Sequence, residues 1–490
     1  MNTKLLKQKI LDLAIRGKLT QQLKSDGTAK DLLTQISDER KGTRSKKSGV
    51  ILSEAQSAKS KDLGQIIPLD KNEAPFEIPD NWEWVRLGDV GKWQSGTTPS
   101  KSNSAYYKDG TIPWLNTGDL NDGIINDIPK RVTEKALAET SLRLNEAGSV
   151  CIAMYGATIG KLGILSMPAT TNQACCVCNN LKSFVNRMWL FFFLMNHKQE
   201  FIEAGFGGAQ PNISKEKIVS TMFPLPPIAE QQRIVAKIEE AFAEIDSIEN
   251  NKELLKTHIK QARQKILDLA IHGKLVPQNK SDEPASVLLE RITRDNPHYE
   301  KLTDVPFEIP DSWEWVKLGD VCKPIKRGKS PKYIEQSNIL VFAQKCNQKD
   351  GPVSLEKALY LDESTLNKYP KEEFLQKGDV IINSTGTGTL GRVGHFNVDL
   401  PQGIKGIVPD SHVTTIRSSV VNSNYLYSYL KNKQSYLEKN GEGSTNQKEL
   451  KPHTIYDLEF PLPPLAEQKR IVNKTEEIFA SLNEISRHLD

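Results

Sequence analysis

Three segments of this chain each occur twice, and their order closes on itself like a circle. The tryptophan segment FEIPDNWEWVRLGDV (Phe76–Val90) returns as FEIPDSWEWVKLGDV (Phe307–Val321), differing only at Asn81/Ser312 and Arg86/Lys317. The proline segment FPLPPIAEQQRIV (Phe223–Val235) returns as FPLPPLAEQKRIV (Phe460–Val472), and the helix segment KILDLAIRGKL (Lys9–Leu19) returns as KILDLAIHGKL (Lys265–Leu275). The order is helix, tryptophan, proline, then the same again. At the offset of the proline segment Asp490 matches Glu253, and at that of the helix segment Met1 matches Thr257. The two chain ends therefore supply together almost everything that the middle supplies continuously from Pro226 to Leu275. A chain built this way holds two units of related shape joined by a shared frame.

The joining region reads as helix. Pro226 and Pro227 suit a first turn, where a missing amide hydrogen costs nothing. Apolar residues then follow at steps of four and three, at Ile234, Ile238, Ala241, Ile245, Ile248, Leu255, Ile259, Ala262, Ile266 and Leu269, with only Lys252 breaking the stripe. This is the spacing of a coiled-coil seam, which needs a long partner. The chain supplies one: Ile471, Ile478, Leu482 and Ile485 continue the stripe at the C-terminus, with Thr475 where Ile238 stands, and Leu6, Ile10 and Leu13 complete it at the N-terminus. The expected arrangement is a middle helix antiparallel to a composite of the two ends. At about 1.5 Å per residue the seam from 234 to 269 spans roughly 50 Å. The helix segments are each followed by a similar stretch, KSDGTAKDLLTQI (Lys24–Ile36) and KSDEPASVLLERI (Lys280–Ile292), which predicts a short second helix. A Ser/Lys-rich stretch, Ser37–Asn72, is extra in the first half and reads as a solvated linker.

Between the repeated segments the halves diverge, yet both carry strand, glycine-rich turn, strand: Gly148–Leu165 in the first and Gly378–Phe396 in the second. One α+β fold with two different surfaces suits a pair of recognition domains and not a pair of catalytic ones. Gly386, Gly388 and Gly391 spell a dinucleotide fingerprint, but the helix that must follow is missing from the pattern. Cys175, Cys176 and Cys178 have no second ligand pair and read as a buried strand. The longest apolar run, Met188–Met195, is too short to span a bilayer, and the N-terminus has no signal-peptide pattern, so no membrane is expected and a cytoplasmic location is. A net charge of +4 proves no nucleic-acid partner, but positive charge is locally dense at Lys323, Lys326, Arg327, Lys329 and Lys332. Trp82, Trp84, Trp313 and Trp315 recur unchanged where two readers must differ, and so belong to packing. Residues that read sequence are expected on polar turns of the divergent parts. In the first half these are Trp114, Asn116, Thr117, Tyr155, Lys161, Asn172, Gln173, Gln210 and Asn212; in the second, Lys326, Arg327, Ser384, Thr385, Thr387, Arg392, His412, Asn446 and Gln447.

With the repeats, IPWLNTGDL (Ile112–Leu120), AMYGATIGK (Ala153–Lys161), TNQA (Thr171–Ala174), GGAQPNIS (Gly207–Ser214) and DSHV (Asp410–Val413), nearly the whole chain resembles the specificity subunits of Type I restriction-modification systems. The resemblance implies two target-recognition domains, each similar to the DNA-reading domain of an adenine methyltransferase, separated by long helices in an antiparallel coiled coil with pseudo-two-fold circular repeat. It also implies a bipartite target on double-stranded DNA with one half-site per domain. Catalysis would lie on partners: two methylation subunits binding S-adenosylmethionine, and restriction subunits using ATP and Mg, with no cofactor, metal or catalytic residue on this chain. The organisation expected is an N-terminal helical segment 1–36, an insertion 37–74, recognition domain 75–225, central helices 226–292, a linker 293–305, recognition domain 306–462 and a C-terminal helix 463–490. Two other classes compete. Methyl transfer by the chain alone would favour a self-contained enzyme, and absence of a two-part footprint from the assembled complex would favour a scaffold for proteins only. If the helices set the spacing, adding one turn to the 234–269 seam and its partner lengthens the unread spacer and leaves the bases read unchanged. A map of methylated adenines in cells carrying the variant measures this, and an unchanged spacer refutes it.

Overall fold

The computed structural model describes residues 2–34, 68–69, 74–205, 211–294, 299–349, 352–443 and 448–489. Most of the Ser37–Asn72 insertion, with Gln210, Asn446 and Gln447, lies outside them. The chain forms two units, Met1–Asn250 and Asn251–Asp490.

In the first unit helix α1 (Thr3–Ile15) precedes ten strands: β1 (Glu83–Arg86), β2 (Lys92–Ser95), β3 (Ile112–Leu115), β4 (Gly123–Ile125), β5 (Arg131–Val132), β6 (Val150–Ala153), β7 (Leu162–Leu165), β8 (Thr170–Thr171), β9 (Cys175–Asn179) and β10 (Met222–Leu225). Helix α2 (Arg187–Asn196) lies between β9 and β10, and α3 (Ile228–Ile271) follows β10 and runs on into the second unit. There α4 (Ala285–Thr293) precedes β11 (Glu314–Lys317), β12 (Ile325–Arg327), β13 (Tyr333–Ile334), β14 (Ile339–Phe342), β15 (Leu359–Leu361), β16 (Asp379–Asn383), β17 (Val393–Phe396), β18 (Gly406–Pro409), β19 (Val413–Ile416) and β20 (Glu459–Leu462). Helix α5 (Ser423–Asn432) lies between β19 and β20, and α6 (Leu465–Arg487) ends the chain.

The topology repeats although the interior sequences do not. The main sheet is β2-β9-β6-β7-β4 in the first unit and β12-β19-β16-β17 in the second; the smaller sheets, β5-β3-β8 and β13-β15-β14-β18, each carry one parallel pair, β3 with β8 and β14 with β18. The expected strand, glycine turn, strand is the hairpin β6–β7 and its counterpart β16–β17. A strand, not a helix, follows Gly391, so the glycine run is a hairpin turn. The cysteines of β9 are buried, and burial pushes the Cys176 and Cys178 thiols up to about 12.

The repeated segments meet at one knot in each unit. β1 pairs antiparallel with β10, joining tryptophan and proline segments, and β11 pairs with β20 in the same way. The Trp82 indole donates to Glu230 Oε2 at 2.9 Å, while Gln22 donates to Glu230 Oε1 at 2.7 Å and Asn81 to Oε2 at 3.1 Å. In the second unit Trp313 donates to Glu467 Oε2 at 2.9 Å and Gln278 to Oε1 at 2.5 Å, and Ser312 turns to Gln278 instead. The next residue ties down the recognition domain: Gln231 accepts from the Asn186 amide at the start of α2 and donates to the Phe184 and Pro226 carbonyls, and Gln468 accepts from Asn422 and donates to Pro463. The helix segment ends in the same place. Gly17 and Gly273 hold φ of +66° and +65°, and a Cβ at either would lie 2.3 or 2.4 Å from Cγ of Pro79 or Pro310, so only glycine fits. Arg233 pairs with Asp26 and Arg470 with Asp282, each at 2.6 Å.

The seam is antiparallel within each unit. Thr3 donates to Glu249 at 3.0 Å, Lys7 bonds Asp246, and Arg233 reaches the Gln21 carbonyl at 3.1 Å, so α1 runs against the first half of α3. In the second unit Arg263 bonds Asn483 and lies 5.5 Å from the Phe479 ring, setting α6 against the other half. Ile234, Ile238, Ile245, Ile259 and Ile471 are buried, and Ile10, Leu13, Ile266, Ile478 and Leu482 are half-buried. Four expected seam residues are not: Leu6 is 36% exposed, Leu255 39%, Ile485 44% and Ile248 49%. A second helix covers one stripe only, and Ile234, Ile238 and Ile471 also pack into the core of a recognition domain. The recognition-domain side takes Leu11, Ala14 and Ile15, and in the second unit Ala270 and Ile271, which lie between the seam positions; Leu267, the counterpart of Leu11, is also buried.

Replacing Glu467 by alanine leaves the indole N–H of Trp313 buried without an acceptor and should cost on the order of 1–3 kcal/mol, read as a lower urea midpoint for the second unit. A full chain that unfolds at the wild-type midpoint would remove the knot from the account of stability.

Candidate nucleic-acid interface

Topology brings most of the candidate residues to one end of each main sheet. In the first unit β2 ends at Ser95 opposite Cys176, β6 ends at Ala153 opposite Cys175, and β3 and β8 end together at Leu115 and Thr171. The turns leaving that end carry Asn116, Thr117, Tyr155, Lys161, Asn172 and Gln173. Asn212 joins them because the segment after Pro211 bridges to the hairpin turn: the Gly156 amide donates to the Pro211 carbonyl and the Ile213 amide to that of Met154, both at 2.9 Å. Thr98 donates to the Gln173 side chain. Tyr155 is 43% exposed. Ser95, Met154, Tyr155, Asn212 and the 213–216 stretch line an open cleft of about 280 Å³.

The second unit presents the same end with other side chains. β12 ends at Arg327 opposite Thr414, β16 at Asn383 opposite Val413, and β14 and β18 end together at Phe342 and Pro409. The turns carry Thr385, Thr387, Arg392 and His412. Thr385 Oγ1 lies 2.5 Å from His412 Nδ1, and the His412 amide donates to Asp410 Oδ1 at 2.8 Å. Burial pushes the Asp410 carboxyl above the usual carboxylate range, against that hydrogen bond and the nearby His412 and Arg327 charges. Arg392 donates to the Asn347 and Gly388 carbonyls at 2.8 and 3.1 Å, which fixes the glycine turn and commits much of its fork.

Two candidates are structural. Trp114 is buried, and its indole donates to the Thr97 carbonyl at 3.1 Å, bracing the turn that carries Thr98. Ser384 is fully buried, with its hydroxyl 2.5 Å from that of Thr414. Trp114 lies one residue before the end of β3 and Ser384 one residue after the end of β16, and both side chains are buried, so a base edge cannot reach them. Asn116 donates its side-chain amide to the Trp114 carbonyl and shapes its turn.

The dense positive charge of the second half is matched at short range. Lys326 and Lys329 both bond Glu373, Lys332 pairs with Asp362 at 2.8 Å, and Arg327 bonds Glu449 and the Ser411 carbonyl. Burial acts to raise Glu373, but the two lysines outweigh it and hold the carboxyl below the usual range. The Lys332 bond holds Asp362 down at about 2. Of the missed residues, Thr98 and Glu449 stand in turns of ordinary composition, and only three-dimensional pairing marks them.

A family model described as the Type I restriction modification DNA specificity domain matches residues 79–257 and 310–489, once in each half. The chain belongs to this specificity family. It is 23% identical to the Type I restriction enzyme EcoAI specificity subunit of Escherichia coli over 98% of this chain and 90% of that one. A match to the EcoR124I/EcoR124II specificity subunit of Escherichia coli is 29% identical but spans 31% of this chain and 39% of the other. Among solved structures, the HsdS subunit from Thermoanaerobacter tengcongensis aligns with a TM-score of 0.52 at 20% identity, covering 85% of this chain and 94% of that one. A chain from a study of complex assembly and conformational transition of the type I R-M system aligns over the same shares with a TM-score of 0.56, also at 20% identity. The repeated domain matched here is thus the DNA-recognition element of the family, and no described helix is long and apolar enough to cross a membrane.

Because Trp114 packs rather than reads, Trp114→Ala should lower stability by roughly 3–5 kcal/mol without selecting a different DNA sequence. Thermal unfolding should show the loss in the first unit's transition alone, and retained stability with altered specificity would reverse the assignment.

Proposed function

We propose that this chain is the sequence-reading subunit of a Type I restriction-modification complex, with each sheet end facing one half-site of a bipartite target on double-stranded DNA. The observation that carries this reading is the pair of matching sheet ends: one hydrogen-bonded backbone frame, built twice, bearing unlike polar side chains. Two copies of a catalytic site would keep their reacting groups. Here the Thr385–His412 pair of the second unit occupies turns where the first unit has Tyr155 and Ala174, so the contact belongs to one unit's message and not to shared chemistry.

The reading assigns methyl transfer and cleavage to other subunits: two methylation subunits, which would hold S-adenosylmethionine, and restriction subunits, which would use ATP and Mg. It assigns their docking to the duplicated helical regions, 1–36 with 463–490 and 226–292. Recognition domains 75–225 and 306–462 lie between, with the 37–74 and 293–305 stretches as connections. Two copies of one frame suit two copies of one partner. The target being chromosomal DNA, the complex belongs in the cytoplasm. Direct contacts to bases are assigned to Tyr155, Gln173 and Asn212 in the first domain and to Arg327, Thr385, Thr387 and His412 in the second, and a phosphate contact to Lys161.

Exchange of residues 94–222 for the matching interior of another family member should change one half of the methylated sequence and leave the other half and the spacer intact. A map of methylated adenines in cells expressing the hybrid with its partners reads all three at once. Change in both halves would overturn the assignment of one half-site to each domain.

A further inference from the structure

The two sheet ends can be matched position by position from their hydrogen bonds. The Asn172 amide donates to Leu115 at 2.9 Å as that of Asp410 does to Phe342 at 3.1 Å; Met154 donates to Ala174 as Ser384 does to His412, both at 2.8 Å; and Gly96 donates to Cys175 at 3.0 Å as Gly328 does to Val413 at 2.9 Å. The segment before the last strand bridges to the hairpin turn in the same way, Tyr155 with Asn212 and Thr385 with Glu449. Matching these bonds aligns Ser95 with Arg327, Tyr155 with Thr385, Gln173 with Ser411 and Asn212 with Glu449.

At the same place, then, one unit has an open cleft between Ser95 and Asn212 and the other has an ion pair. The first is about 280 Å³ and is lined by polar side chains together with Lys215 and Glu216. In the second the longer side chain of Arg327 crosses to the carboxylate of Glu449, while its Nε bonds the Ser411 carbonyl. The backbone being common, the difference lies in the side chains alone.

We infer that the Ser95/Arg327 and Asn212/Glu449 positions, with Gln173 beside them, are the specificity-determining residues of the two half-sites. This rests on the reading that these sheet ends face DNA. A guanidinium held at Nε and Nη1 is oriented before binding, and an oriented arginine is matched to the paired acceptors of a guanine edge. Glu449 sets that orientation and opposes a phosphate in its place. In the first unit Gln173, bonded to Thr98, presents an amide of the kind that pairs with adenine, and the open cleft beside it leaves room for a base edge to approach.

The full chain, assembled with its methylation subunits, is compared with R327K, with the double variant R327S/E449N carrying the first unit's side chains, and with Q173S. R327K keeps the charge and loses the fork. R327K and R327S/E449N should relax one or two adjacent base pairs of the second half-site only, with on the order of 10- to 100-fold weaker binding to the original sequence. Q173S should do the same to the first half-site. As a separate arm, K161Q/K215Q should weaken binding to all sequences alike and make the logarithmic salt slope shallower by about 1–2. If this arm responds while all three variants leave both half-sites unchanged, these positions do not determine specificity. If neither arm responds, the sheet ends do not face DNA, and the reading beneath the inference fails with it.

Discussion

A carboxylate buried beneath a tryptophan holds each half of this molecule together. Glu230 and Glu467 are 0% and 1% exposed, and each accepts from an indole of the tryptophan segment and an amide that follows the helix segment. Burying a charge is costly unless every lone pair finds a donor, so this contact tolerates no sliding of the three segments. Burial raises the Glu467 carboxyl above the ordinary glutamate range, against the bonds from Trp313 and Gln278. A group raised on folding binds its proton more tightly in the native state, so its contribution is greatest below the usual glutamate pKa and declines as pH rises through the native value. At neutral pH the Glu467 contact serves register more than net stability. That explains why the glutamate, the tryptophan and the glutamine are the same in both halves, while Asn81, whose place Ser312 takes by turning to Gln278, can vary.

Fixing the frame this firmly frees the interior to vary. Four strands of the two main sheets share their order, β2-β9-β6-β7 and β12-β19-β16-β17, while their sequences diverge, because a buried strand asks only for apolar side chains of suitable volume. The turns at the sheet end are held largely by backbone hydrogen bonds, which any residue but proline can supply. Polar side chains on them can therefore change without moving the frame, and a surface can be rewritten without refolding the domain.

Much of this was legible in the sequence. The repeats, the circular order, the antiparallel seam and the strand, turn, strand hairpins are all local patterns, and each is present. The failures share one cause, which is that burial and pairing are decided across distance. Trp114 and Ser384 lie at strand ends beside polar turns, and one residue decides whether a side chain faces in or out. Leu6, Ile248, Leu255 and Ile485 have the right period, but period does not say whether a third body backs the pair. Leu11 and Ile15 gain their burial from the recognition domain, which no helical pattern announces.

The charge pattern shows the same principle with a functional consequence. Lys326 and Arg327 look like phosphate ligands in sequence, yet their carboxylate partners Glu373 and Glu449 stand 47 and 122 residues away. A lysine already paired gains little from a phosphate, since the new contact must replace an old one and release fewer counterions. An arginine held by a carboxylate keeps its direction and loses some of its attraction for backbone. For a protein that must find one bipartite sequence among many, this is the useful balance: weak attachment to DNA in general, and an oriented donor where the right base edge arrives.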